Sequence, residues 1–135
     1  MRPRRTLALI LLAASSASCA ATTYDTSISS ESAAPTTTIV PTGTAAELLP
    51  LVVMESSVLS ELIVDKGDKI GAVERMEALW AAVEVEVVRT DRDIAIEIEA
   101  EIAKGRAAAT LNRPGSADKV YRNLTALVQA YLTIA

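Results

Sequence analysis

The chain has 135 residues, a formal net charge of −4 at pH 7, and neither histidine nor phenylalanine. Without histidine it lacks the imidazole base of the common catalytic triads and the usual nitrogen ligand of zinc, and its scattered glycines form no phosphate-binding loop. Its acidic balance disfavours nucleic acid, whose binding requires lysine and arginine to neutralise phosphates. We therefore predict no enzymatic activity, no cofactor and no nucleic-acid partner.

Residues 1–18 have the three parts of a secretory signal. Arg2, Arg4 and Arg5 are cationic, residues 7–14 are apolar, and the residues that follow are small. The apolar run has 8 residues, whereas a membrane-spanning helix needs about 20. We therefore predict export of the chain and no stable transmembrane anchor in this segment.

The tetrad Ser16-Ala17-Ser18-Cys19 resembles the lipobox of bacterial lipoproteins, in which the cysteine becomes the first mature residue and carries the lipid. Ala17, Ser18 and Cys19 fit that pattern, and Ser16 stands where leucine is usual. The resemblance implies an exported lipoprotein held at the cell membrane by lipid on Cys19. Cys19 is the single cysteine of the chain and has no intramolecular disulfide partner, which favours this interpretation. The alternative is an ordinary signal peptide in which Cys19 has no role.

Residues 19–43 are predicted to be the lipidated cysteine followed by a flexible tether. The segment is rich in serine and threonine, contains Pro35 and Pro41, and carries charge only at Asp25 and Glu31. Such a composition buries too little apolar surface to offset the entropy of ordering. A flexible chain of this length would hold a domain about 25 to 30 Å from its anchor.

Residues 44–135 are enough for one small domain, and its first helix has a clear start and stop. Thr44 and Glu47 have the spacing of a capping box. Lys66 and Gly67 offer a cation and a left-handed cap at the other end. Without residues 1–18 the chain has 10 basic and 17 acidic residues, a formal charge of −7.

Three further helices are predicted from their caps. Asp68 suits the start of the second helix, Thr90 or Asp91 the start of the third, and Ser116, after the break at residues 113–115, the start of the fourth. Four helices of similar length with short connections favour an all-α, antiparallel, up-down-up-down bundle. The predicted apolar faces, with spacings of three and four, contain Leu48, Val52, Leu59, Leu62 and Ile63; Val73, Met76, Trp80, Val83 and Val87; Ile94, Ala95, Ile98 and Ile102; and Val120, Tyr121, Leu124, Leu127, Val128, Tyr131 and Leu132.

Residues 83–102 leave two alternatives open. Apolar and acidic residues alternate in 83–88 and in 94–102, as they would in a β-hairpin, although the connection contains no glycine, asparagine or proline. The helical spacing of the apolar residues also continues across the connection between these two segments. A single helix over residues 69–109, about 60 Å long, would satisfy it.

Asp93, Glu97 and Glu101 are the candidate metal ligands. They fall at steps of four, so a helix would place them in one acidic ridge, and carboxylates suit hard cations such as calcium, magnesium or ferric iron. Glu84 and Glu86 would approach the ridge from the preceding helix. Because several basic residues lie nearby, a solvated, salt-paired face is the simpler interpretation.

Residues 113–132, RPGSADKVYRNLTALVQAYL, are similar to the terminal helix of small helical modules in actinobacterial envelope lipoproteins, some of them associated with iron uptake. The imelysin-type proteins of that group carry a His-x-x-Glu motif. This chain has no histidine, so no metal ligands are carried over from them.

These features predict a non-enzymatic lipoprotein, anchored by lipid on the extracytoplasmic side of the cell membrane, whose helical bundle binds a protein partner. The alternative is an accessory domain of an uptake system that binds a cation, iron or calcium, on the acidic ridge. A third hypothesis is self-association through small residues such as Ala107 to Ala109. Trp80 is expected in the core rather than in a ligand site.

Overall fold

The computed structural model describes residues 40–135, and these form four helices joined by short turns. The helices are α1 (Ala45–Val64), α2 (Lys69–Thr90), α3 (Arg92–Thr110) and α4 (Pro114–Ile134). No strand occurs within the described part of the chain. The predicted all-α class is confirmed.

Each helix packs against the helix that follows it, and α1 also packs against α4. Because the connections are short, successive helices run in opposite directions, which gives the up-down-up-down bundle. The predicted lipidation site Cys19, the signal at 1–18 and all but the last residues of the tether lie outside the described residues.

A single residue, Asp91, separates α2 from α3. Its backbone is extended, with φ of −151° and ψ of 108°. Its carboxylate accepts hydrogen bonds from the backbone N–H groups of Asp93, at 2.9 Å, and Ile94, at 3.0 Å. This cap interrupts the helix, so the single helix over 69–109 is wrong. The hairpin at 83–102 is also wrong, because its residues belong to α2 and α3.

The first turns of α1 and α2 are capped as predicted. The Glu47 carboxylate accepts hydrogen bonds from the backbone N–H of Thr44, at 2.9 Å, and from its hydroxyl, at 3.1 Å. Both bonds lower the pKa of Glu47, and the bond from the backbone N–H has the larger effect. Asp68 accepts a hydrogen bond from the N–H of Gly71 at 3.0 Å. α1 continues through Pro50, whose ring is exposed.

Two left-handed residues end α1 and α3, and neither is a glycine. Lys66 has φ of 56° and Asn112 has φ of 53°. The prediction that Gly67 supplies the left-handed cap is therefore wrong. A Cβ at Gly67 would lie 2.8 Å from Cδ2 of Leu62, which is the end of a flexible side chain. The N–H of Gly67 closes the turn by donating to the Leu62 carbonyl at 2.8 Å.

The predicted start of α4 is also wrong. The N-cap is Arg113, not Ser116, and no side chain caps this end. Pro114 occupies the first helical position, where its fixed φ and missing N–H are compatible with a helix. The helix therefore begins at Pro114, two residues before Ser116, whose hydroxyl was predicted to cap it.

The core divides into two clusters along the bundle. The larger contains Trp80, only 6% exposed, together with Met76 and Tyr131. The smaller is formed mainly by alanines, whose short side chains let the helices approach closely. Most predicted core positions are confirmed, but Tyr121 and Leu132 are 39% and 42% exposed. The alanines of the smaller cluster are Ala72, Ala108, Ala109 and Ala117.

Candidate functional site

The three predicted metal ligands lie in different environments. Asp93 and Glu97 are exposed, whereas Glu101 is buried, with 6% of its surface exposed. Among residues 40–135, no group of three acidic, histidine or cysteine side chains is placed to hold a metal ion. The predicted cation site therefore has no preformed ligand set in the described bundle.

Helix geometry explains why Glu101 leaves the acidic ridge. Residues four apart on an α-helix are rotated by about 40°, so the ridge turns as it runs from Asp93 to Glu101. Glu101 is also three residues from the buried Ile98 and four from the buried Gly105. The rotation carries its side chain onto the face of α3 that packs against α4.

Glu101 is a partly satisfied buried acid. Its Oε1 accepts a hydrogen bond from Nζ of Lys104 at 2.6 Å. Its Oε2 is buried and has no hydrogen-bond partner, and it is the only side-chain atom in this condition among residues 40–135. Buried polar atoms are almost always paired, so this oxygen is an exception within the described bundle.

The α3/α4 groove lies beside Glu101. We define it as two adjoining cavities, of about 340 Å³ and about 410 Å³, which share Glu101, Lys104 and Asn123. The first cavity runs toward the α3–α4 turn. Its walls there are alanines, Leu111 and Val120. Because the alanine side chains are short, the space between the two helices stays open.

Basic side chains line the first cavity. Lys104, Arg113 and Lys119 lie along it, and Glu101 is its single acidic group. Arg113 and Lys119 form no ion pair within the described residues. The first cavity thus carries three basic side chains and one buried carboxylate, although the chain has a net charge of −4.

Glu86 lies elsewhere than predicted. It does not join the acidic ridge of α3. Its Oε2 accepts a hydrogen bond from the backbone N–H of Ala45, the first residue of α1, at 3.0 Å. A carboxylate at this position satisfies a free N–H group and complements the positive end of the helix dipole. Its role is therefore structural.

A second surface, the α1 outer face, is formed by Leu51, Met54 and Val58. These side chains are 39%, 56% and 40% exposed and follow each other at steps of three and four, opposite the buried face of α1. The sequence carries this signal, since both faces of α1 are apolar. The apolar spacing predicts only the buried face of α1, because the same pattern is typical of a helix that packs on a core.

Acidic residues flank the α1 outer face. Glu47 and Glu61 are exposed one turn before and one turn after the apolar residues. No lysine or arginine occurs anywhere in α1. The face is therefore an apolar centre with negative charge at both ends.

The alanines considered for self-association lie mostly inside the bundle. Ala108 and Ala109 are 2% and 0% exposed and belong to the core, whereas Ala107 is exposed and lines the α3/α4 groove. Two of the three residues are thus unavailable for contact between copies.

None of the helices between residues 40 and 135 combines the length and apolar content that crossing a membrane requires. Comparisons with protein-family models, with curated proteins and with solved structures find no match to this chain.

Proposed function

We propose that this chain is an exported, non-enzymatic lipoprotein, held at the cell membrane by lipid on Cys19, whose helical bundle binds another protein through the α1 outer face. The lipobox-like tetrad ending at Cys19 supports the anchor. The observation that carries the binding role is the exposed apolar stripe of Leu51, Met54 and Val58. Contiguous exposed apolar surface on a soluble domain is typical of an interaction site.

The charges around the stripe define the partner. Glu47 and Glu61 lie at its two ends, and α1 contains no base to neutralise them. A fitting partner has an apolar patch rimmed by lysine or arginine, since complementary charge directs association. A second copy of this chain fits poorly. A two-fold interface would bring the same patch against itself and place acid against acid.

Membrane attachment is tested by Cys19→Ser, with Thr23→Ser as the control in the adjoining segment. We expect the Cys19→Ser protein to leave the membrane fraction of the cells that produce it, and the control to stay there. Mass spectrometry of the native protein should find the lipid on an N-terminal Cys19. A Cys19→Ser protein that remains with the membranes would contradict the anchor.

Partner binding is tested by placing a photocrosslinking residue at Met54 in intact cells, with the same residue at the exposed Glu99 of α3 as the control. We expect a discrete adduct with another protein from position 54 only. Glu61→Lys should lower the yield of that adduct because it opposes a basic rim, while Glu99→Lys should leave it unchanged. Equal adducts from both positions, or an adduct consisting of two copies of this chain, would contradict the proposal.

A further inference from the structure

The α1 outer face is narrow and straight. Leu51, Met54 and Val58 follow each other at steps of four and three, and Glu47 and Glu61 continue these steps at the two ends. A repeat that averages 3.5 residues keeps side chains in one line along a helix. From the first acid to the second, this line is about 21 Å long. The face is therefore one helix wide and about four turns long.

The face borders the groove between α1 and α2. Glu55 lies four residues after Leu51 and three before Val58, so all three share one side of α1. That side is turned toward α2, because the Glu55 carboxylate accepts a hydrogen bond from Nε of Arg75 at 3.0 Å. A segment of another protein that covers the α1 outer face would therefore also contact α2.

Small residues form the α2 side of this groove. Arg75 and Glu86 mark the side of α2 that contacts α1. Ala78 and Ala82 fall between them at steps of three and four, so they lie on the same side. Ala82 is exposed and Ala78 is half-buried. Because the distance between packed helices depends on the side chains at the contact, these alanines leave room for a further helix beside α1.

The spacing along α1 decides which kind of segment fits. Leu51 and Val58 are about 10 Å apart along the helix axis, with Met54 between them. A helix aligned within about 20° of α1 repeats its own side chains at the same steps, so the two sets interdigitate along the whole face. One face of an extended strand carries a side chain about every 6.7 Å. A strand would therefore fall out of step with these three residues.

The charges at the two ends define the composition of the partner helix. Glu47 and Glu61 are exposed, and α1 contains neither lysine nor arginine. Complementary charge on the partner would favour association. A helix that covers the face from end to end thus carries lysine or arginine near both ends of its apolar stripe. The same acids repel an anionic lipid surface, which attracts basic segments instead.

We propose that the α1 outer face binds a single amphipathic helix of another protein, which lies along the groove between α1 and α2 as a fifth helix of the bundle. Leu51, Met54 and Val58 interdigitate with the apolar side chains of that helix. Glu47 and Glu61 pair with its basic residues. This inference rests on the protein-binding role proposed above and adds the form of the partner.

Crosslinks mapped to single residues test that form. A short-armed photocrosslinking residue replaces Leu51, Met54 or Val58 of the full chain in intact cells, and mass spectrometry identifies the partner residue joined in each adduct. For a helix aligned with α1, the residues joined from positions 51 and 58 should lie in one segment, about seven positions apart. The residue joined from position 54 should lie between them. A strand would place the outer two only about three positions apart.

A charge exchange tests the basic ends of the partner helix. With the crosslinking residue at position 54, Glu61→Lys should lower the adduct yield about fivefold because it opposes a base on the partner. Replacing the partner base nearest to position 61 by glutamate should restore the yield. Glu99→Lys, at an exposed position of α3, should leave the yield unchanged with either form of the partner.

The outcomes separate this inference from the role on which it rests. Protein adducts joined at residues about three positions apart, or in separate segments of the partner, would overturn the helix and leave the protein-binding role in place. Failure of the charge exchange to restore the yield would overturn the basic ends. Absence of a protein adduct from all three positions would overturn both proposals. Circular dichroism of each variant should match the helix content of the parent, so that a lost adduct is not a result of unfolding.

Discussion

The carboxylate of Glu86, in the last turn of α2, accepts a hydrogen bond from the backbone N–H of Ala45, the first residue of α1, at 3.0 Å. The two residues are 41 positions apart in the chain. The contact ties the start of α1 to the end of α2, next to the Glu47 carboxylate that closes the local capping box. Two acids thus serve one helix N-terminus, one from within the helix and one from its neighbour.

Glu86→Ala should lower the free energy of unfolding by about 1 kcal/mol, because it removes the acceptor for a terminal N–H and a charge that complements the helix dipole. Urea unfolding followed by circular dichroism measures the change. Glu84, exposed on the same helix, provides the control. Glu84→Ala should change stability by less than about 0.5 kcal/mol, and an equal loss in both variants would show that the contact contributes nothing specific.

Gly105→Ala should stabilise the bundle. A Cβ at this buried position of α3 would lie 3.6 Å from Val120, 3.7 Å from Leu59 and 3.7 Å from Met76, all ordinary contact distances. Alanine also loses less backbone entropy than glycine in a helix, so we expect a gain of about 1 kcal/mol. For a domain of this size the melting temperature should rise by about 4 to 8 °C.

The control for that substitution is Gly115→Ala. Gly115 lies in the first turn of α4, and a Cβ there would have no neighbour within 4 Å. Alanine at this position gains helix propensity without core contacts, so we expect a smaller rise in melting temperature. A fall in melting temperature for Gly105→Ala would mean that the four helices cannot accommodate a methyl group where they meet.

The ion pair between Glu77 of α2 and Arg106 of α3 should make stability depend on pH. Nε of Arg106 donates to the Glu77 carboxylate at 2.6 Å, and a second guanidinium N–H donates to the other oxygen. This hydrogen bonding lowers the pKa of Glu77 below its ordinary value of 4.5 and raises that of Arg106. The stabilisation is therefore complete above pH 4.5 and is lost as the pH falls through the lower, folded-state pKa of Glu77.

Urea unfolding of Glu77→Gln at neutral pH and near pH 3 tests this dependence. The variant should lose less stability than the parent over that interval, because it has no carboxylate to protonate. Glu61 of α1 is exposed and forms no ion pair with another residue between 40 and 135. It supplies the control Glu61→Gln, which should follow the parent. Since both members of the pair are more than one third exposed, the difference will be modest and will shrink at high salt.

Glu101→Met should raise the stability of the bundle. The substitution replaces a buried carboxylate, one oxygen of which has no partner, with an apolar side chain of similar length. We expect a gain of about 1 kcal/mol or more in the free energy of unfolding. The lost pair with Lys104, whose side chain is 64% exposed, should cost little. Glu99→Met, at an exposed position of α3, should stay within about 0.5 kcal/mol of the parent.

Loss of stability in Glu101→Met would mean that the carboxylate and its pair with Lys104 stabilise the fold.

The local rules of helix formation predicted much of this fold from the sequence. The caps at Thr44, Asp68 and Asp91 and the spacing of the apolar residues depend only on near neighbours in the chain, so they locate the helices of the bundle. The same rules were less accurate at helix ends. After α1 the left-handed residue is Lys66 rather than Gly67, and at the start of α4 the fixed φ of Pro114 replaces a side-chain cap.

The surfaces depended on the tertiary structure. Asp93, Glu97 and Glu101 form one series in the sequence, but packing of α3 on α4 buries only the last of them. In the same way, the position of α1 between α2 and α4 leaves Leu51, Met54 and Val58 outside. Short-range hydrogen bonding and apolar periodicity therefore determined the helices. Which acid became buried and which apolar residues stayed exposed depended on contacts between residues distant in the chain, because burial is a property of the assembled bundle.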